Sequence, residues 1–171
     1  MMAILNSISF ARLLWLIPIF LTIHNMEEAP FMEGWSRRLP RNLSLTITKR
    51  QFVVAVIFIT IAGFAFTYIG VEYLANQTGY LLVLGMQTIL FVNALVPHIL
   101  ATIRFRMYSP GVISAMLITL PFSLYLFGRA LEEKIMDWAQ FWVLLGIAPF
   151  AMVIVAFLSL QIGKAFEEKF V

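Results

Sequence analysis

The run His24-Asn25-Met26-Glu27-Glu28 sets an imidazole and two carboxylates at positions i, i+3 and i+4. On a helix these three side chains fan over about 100° of one face, with neighbouring Cβ atoms about 5–6 Å apart. That is ligand chemistry for a divalent metal, or a base placed beside an acid. Two carboxylates so close repel when both are ionised, so the pair calls for a cation or a raised pKa. Solvation of a helix end is the simpler role open to the same residues.

The second histidine, His98, follows Asn93 by five residues, with Pro97 between them. On an unbroken helix Gln87, His98 and Thr102 share a face, while Asn93 stands about 140° from His98. Pro97 lacks an N–H and leaves the carbonyl of residue 93 without its α-helical partner, so a kink can swing Asn93 toward His98. The candidate metal ligands are therefore His24, Glu28 and His98, with zinc the first expectation for the divalent ion. Glu27, Glu28 and Asn93 are the candidate catalytic groups. One glutamate would be a ligand and the other the general base, with Glu27 favoured as base and Asn93 orienting a ligand or polarising a substrate.

These residues have to be held by elements compatible with lipid. The chain has 171 residues, 61% hydrophobic and 12% charged, with mean hydropathy +0.91. A soluble domain is nearer half apolar and a quarter charged. The apolar runs are continuous rather than alternating, which predicts helices and not a barrel. The expected fold is all-α: one polytopic bundle over residues 1–171, with five transmembrane helices at about 4–27, 52–75, 79–103, 111–131 and 141–163. Residues 30–51 form an interfacial loop, with Phe31, Met32, Trp35 and Leu39 among Arg37, Arg38 and Arg41. Residues 13–23 have the character of a signal-peptide core, but no small-residue cleavage site follows, and a retained helix is expected. Tyr108-Ser109-Pro110-Gly111 reads as a turn in which Ser109 caps the fourth helix. The absence of cysteine excludes disulfides, thiolate metal sites and a cysteine nucleophile.

The distribution of Lys and Arg sets an orientation. Arg37, Arg38, Arg41, Lys49, Arg50, Arg104, Arg106, Lys164 and Lys169 fall on one side of the five spans, and only Arg12, Arg129 and Lys134 on the other. Positive loops stay inside, which places the N-terminus outside and the C-terminus in the cytoplasm. The basic residues then serve topology and anionic headgroups rather than nucleic acid. His24 and His98 both fall toward the cytoplasmic end of their helices. Arg12, in the outer half, has Glu72 as its expected ion-pair partner.

The His-x-x-Glu-Glu pattern, with Asn93, His98 and the Tyr108–Gly111 turn behind it, resembles the HXXEE family of small bacterial membrane proteins over about residues 15–125. The resemblance implies a multi-pass protein of the bacterial cytoplasmic membrane and carries no established activity. A looser similarity, in site chemistry alone, is to intramembrane metal-dependent proteases of the CAAX-processing type, although Met32 stands where those enzymes have Arg. The function expected is a membrane-embedded, metal-dependent hydrolase or transferase acting on a lipid or lipid-linked substrate. The alternative is a non-catalytic membrane protein whose polar cluster holds helices together, binds a lipid headgroup, or serves a transporter or immunity partner. Five helices can also pack as a homodimer. A proton pathway is disfavoured, since no string of ionisable groups runs through the outer half.

Overall fold

The apolar runs fold as helices throughout the computed structural model, which describes residues 7–40 and 47–170. The first candidate span is divided. α1 covers Phe10–Leu14 and α2 covers Leu16–Glu28, with Trp15 between them. The cause lies in Pro18, which has no N–H to bond the carbonyl of residue 14 and sits in the first turn of α2, where that loss is tolerated. Trp15 instead bonds back to the Arg12 carbonyl at 3.2 Å, a tighter i→i+3 turn. Pro30 stops α2, whose last turn closes through Ala29 N to Asn25 O at 3.0 Å. Residues 4–6 of the expected first helix, and Arg41 of the loop, lie outside the described residues.

A short helix, α3 (Met32–Ser36), occupies the loop that follows. Met32 packs with Phe52 and Val56, while Glu33 accepts the backbone N–H of Lys49 at 2.8 Å. Four long helices come next: α4 (Lys49–Tyr73), α5 (Gln77–Phe105), α6 (Val112–Glu132) and α7 (Trp138–Phe170). These four are long and apolar enough to cross a membrane, whereas α1 and α2, divided at Trp15, are each too short to do so alone. At 33 residues α7 reaches about 50 Å, well beyond the expected 141–163. Its tail clamps the start of α4: Thr48 Oγ1 donates to the Glu167 carboxylate at 2.9 Å, and Gln51 Nε2 to Leu160 O at 3.1 Å.

The principal core joins α1 and the start of α2 to the first half of α5 and the second half of α6, through Leu13, Leu14, Ile17, Leu84 and Leu126. Gln87 Nε2 donates to Ser123 Oγ at 2.6 Å and so ties α5 to α6. The expected Arg12–Glu72 ion pair does not form among the described residues. Glu72 receives the Trp15 indole N–H at 3.3 Å, because the break at Trp15 turns the indole, rather than Arg12, toward α4.

Two π-helical segments shape the other end. Residues Ala94–Leu100 of α5 and Ala115–Thr119 of α6 are π-helix, and they pack on one another beside the end of α2. An i→i+5 repeat passes over the nitrogen of Pro97, so the helix widens there instead of breaking.

Candidate metal centre

The widening of α5 decides where Asn93 points. In an α-helix residues five apart diverge by about 140°, but an i→i+5 repeat stacks them. Asn93 Nδ2 accordingly lies 3.0 Å from His98 Nε2 and 3.2 Å from His24 Nε2. The two imidazoles face each other edge to face, with Nε2 to Nε2 at 3.1 Å. Glu28 Oε1 completes the group, 3.7 Å from His24 Nε2 and 3.3 Å from His98 Nε2. His24, Glu28 and His98 are each less than a tenth exposed, and their ligand atoms are mutually close enough to hold one metal ion.

These separations carry chemical meaning. Four ligands at 2.0–2.1 Å from a tetrahedral ion stand about 3.3–3.4 Å apart. Five edges among His24, His98, Glu28 and Asn93 run from 3.0 to 3.7 Å around that value. The Asn93 amide donates N–H from its vertex, and a half-turn about its last torsion puts the carbonyl oxygen there.

The first turn of α6 supplies a partner for the far nitrogen of His24. With the Ser114 hydroxyl donating to Gly111 O at 3.1 Å, its oxygen is placed to accept from His24 Nδ1, 2.9 Å away. A proton on Nδ1 leaves Nε2 as the bare lone pair, turned into the cluster. His98 Nδ1 is buried without a well-aligned partner, beside the Pro110 carbonyl.

Glu27 has a separate task. Its carboxylate accepts Ile113 N at 3.0 Å, Ser114 N at 2.7 Å and the Tyr108 hydroxyl at 2.6 Å. The first amides of α6 are thus capped by a side chain from α2, an arrangement favoured by the positive end of the helix dipole. Ser109 was the expected cap, but its hydroxyl donates to Pro97 O at 3.1 Å, and Gly111 stands at the N-cap position. Partial burial, and then the hydrogen bond and charge of Glu27, push the Tyr108 phenol up to about 12.

Gly111 has φ +89°, a left-handed conformation. A Cβ there would meet His24 Cε1 at 2.7 Å, Glu28 Cγ at 2.9 Å and His98 Cε1 at 2.9 Å. Both rings are seated against the bare backbone of this residue. Ser114, Tyr108 and Gly111 therefore support the cluster, although the sequence pointed only to the Tyr108–Gly111 turn, not to this role for it, and gave no sign of Ser114. Asn25 stays outside it: Nδ2 donates to Thr60 Oγ1 at 2.9 Å and locks α2 to α4.

Comparison with known proteins bears directly on this motif. The family described as "Protein of unknown function with HXXEE motif" matches residues 15–126, well over half of the chain. The chain belongs to the HXXEE family. Among relatives of this HXXEE protein, the uncharacterized protein YrkK of Bacillus subtilis (strain 168) is 26% identical over 124 residues, which cover 70% of this chain and 75% of YrkK. No solved structure matches the chain. The family match takes in His24, both glutamates, Asn93, His98, the Tyr108–Gly111 turn and Ser114. In this HXXEE chain the motif divides by role: His24 and Glu28 enter the cluster, while Glu27 caps α6.

Proposed function

We propose that this HXXEE protein is a multi-pass protein of the bacterial cytoplasmic membrane whose cluster binds a divalent ion, zinc by preference, and serves hydrolysis or group transfer on a lipid or lipid-linked substrate. The reading takes α1 and α2 together as a first span of 19 residues, about 28 Å against a hydrocarbon core of about 30 Å. With four further spans, the distribution of Lys and Arg leaves the N-terminus outside and the C-terminus in the cytoplasm.

The observation that carries the metal is the convergence of His24 Nε2, His98 Nε2 and Glu28 Oε1 with separations of 3.1–3.7 Å. Three electron-rich atoms so close and so buried are stabilised by a proton or a cation among them. His–His–carboxylate is an established zinc donor set, and with no cysteine in the chain thiolate-selected ions are disfavoured. A bound divalent ion supplies a Lewis acid and acidifies water at neutral pH.

The residues of the chain do the rest. Asn93 is placed to orient a ligand or to hydrogen-bond a substrate oxygen. With the Glu27 carboxylate occupied by donors, Glu28 is the carboxylate of the cluster left to take up a proton. Glu27 is assigned a positioning role, since three donors already occupy its carboxylate.

The test is metal analysis of purified protein, wild type against His24→Ala with His98→Ala, joined to mass spectrometry of a membrane lipid extract incubated with each. About one ion per wild-type chain, and a lipid change that chelator abolishes, support the reading. A metal-free wild type indifferent to chelator ends it.

The closure of the site favours a second, non-catalytic reading, since structural metal centres and polar clasps are sealed whereas catalytic ones keep a position open. On that reading Glu28→Gln lowers stability with no lipid chemistry to lose. On the first it leaves a folded, inactive protein.

A further inference from the structure

A cavity of about 460 Å³ opens between α4, α5 and α7, with Leu21 of α2 on its wall. It is lined almost wholly by hydrocarbon. Ser159 is its one side-chain hydroxyl, and that hydroxyl donates to Ala156 O at 2.9 Å. Small residues leave it open, notably Gly63, Gly85 and Ala148, where larger side chains would fill it. Along α5 it runs from Leu82 to Leu90, about 12 Å, and along α7 from Leu144 to Leu158, about 21 Å. One leaflet of a bilayer's hydrocarbon is about 15 Å deep.

No residue of the candidate centre lines the cavity, but one end of it lies about a helical turn from that centre. Leu21 stands one turn before His24 on α2, and Leu90 stands one turn before Asn93 on α5. A chain seated in the groove with its polar end at Leu21 and Leu90 is therefore aimed at His24 and Asn93.

We propose that this groove holds one acyl chain of a membrane lipid, with the ester end toward the His24–Glu28–His98 cluster and the methyl end toward Leu82 and Leu144. The proposal rests on the metal-centre reading for its direction and narrows the substrate class to acyl lipids. An acyl chain is favoured over a second protein because the groove is long and lined almost wholly by hydrocarbon, with its one hydroxyl, Ser159, already bonded to Ala156 O, and it lies between helices apolar enough to be bathed in such chains.

The probes are two phospholipids carrying a photoreactive diazirine, one near the ester and one near the chain terminus, each in phosphatidylethanolamine–phosphatidylglycerol vesicles holding the full-length protein. Adducts are mapped by mass spectrometry. The near-ester probe is expected to label Leu90 in preference to Leu82, and the terminal probe to reverse that order. Gly85→Phe should cut groove labelling at least tenfold while labelling of the outward-facing Phe150 and Val153 is unchanged. A Cβ at Gly85 would meet only Leu144 Cδ2, at 3.5 Å, so the phenyl ring enters the groove rather than the backbone. Ala151→Phe blocks the same groove from α7 should the first variant fold poorly.

Groove labelling indistinguishable from that of Phe150, insensitive to both variants or with the probe order reversed, would overturn the proposal. So would an unlabelled groove in a chain that runs as a dimer, which makes a second copy the occupant. The His24→Ala, His98→Ala protein separates the two ideas. Labelling that persists while wild type proves metal-free removes the metal and keeps the groove. Metal without groove labelling does the opposite.

Discussion

Nε2 of His24 and Nε2 of His98 stand 3.1 Å apart although 74 residues separate them in the chain. Each ring is placed by a different device. Ser114 holds His24 by its far nitrogen, and the π-helical stretch around Pro97 turns His98 and Asn93 to the same side.

Ser114→Ala removes the acceptor for His24 Nδ1 and frees the ring to take the other tautomer. Loss of such an orienting partner typically weakens metal binding about 10–100-fold. Competition titration against a zinc chelator measures it. An unchanged affinity would mean that the ring is held by packing alone.

Glu27→Ala strips α6 of a carboxylate that accepts two of its first amides. A lost helix cap costs about 0.5–2 kcal/mol. The expected result is a lower thermal midpoint in detergent, with about one metal ion still bound per chain. Loss of metal at unchanged stability would place Glu27 among the ligands.

Gly111→Ala forces a side chain into a left-handed position and against both imidazoles, with contacts under 3.0 Å to His24, Glu28 and His98. It should abolish metal binding and destabilise the fold. Gly128→Ala, where a Cβ would meet nothing within 4 Å, is the control and should retain both.

Tyr108 offers a pH readout at the turn between α5 and α6. Its phenol is pushed up from 10.0 to about 12 in the folded chain, so the neutral form is the one favoured by folding. The stabilisation from its bond to Glu27 is complete below about pH 10 and fades as pH rises toward 12. Carbon-13 NMR of the labelled tyrosine should place its midpoint near 12, and Glu27→Gln should return it toward 10. A midpoint near 10 in the wild type would mean that the bond to Glu27 does not persist.

Much of this was legible in the sequence, because lipid-compatible helices announce themselves by length and polar residues within them stand out. The meeting of His24, Glu28 and His98 followed from spacing and depth. Asn93 followed from the proline four residues on, although the sequence suggested a kink and the structure has a π-helical widening that stacks residues 93 and 98. The break at Trp15 was less visible, because Pro18 acts on a carbonyl four residues upstream. The cap on α6 was not legible at all. Ser109 has the local signature of a cap, and nothing near it in sequence reveals that a carboxylate 86 residues from Ile113 takes its place. Ser114 was hidden for the same reason, as one hydroxyl in an apolar run.

The most direct measurement is X-ray absorption at the metal edge of the purified, zinc-loaded protein. Two imidazoles and a carboxylate should give nitrogen and oxygen scatterers at about 2.0–2.2 Å, with imidazole outer-shell features that lose one ring in His98→Ala. A spectrum without imidazole scattering, or one that the His98→Ala change leaves untouched, would contradict a shared ion between α2 and α5.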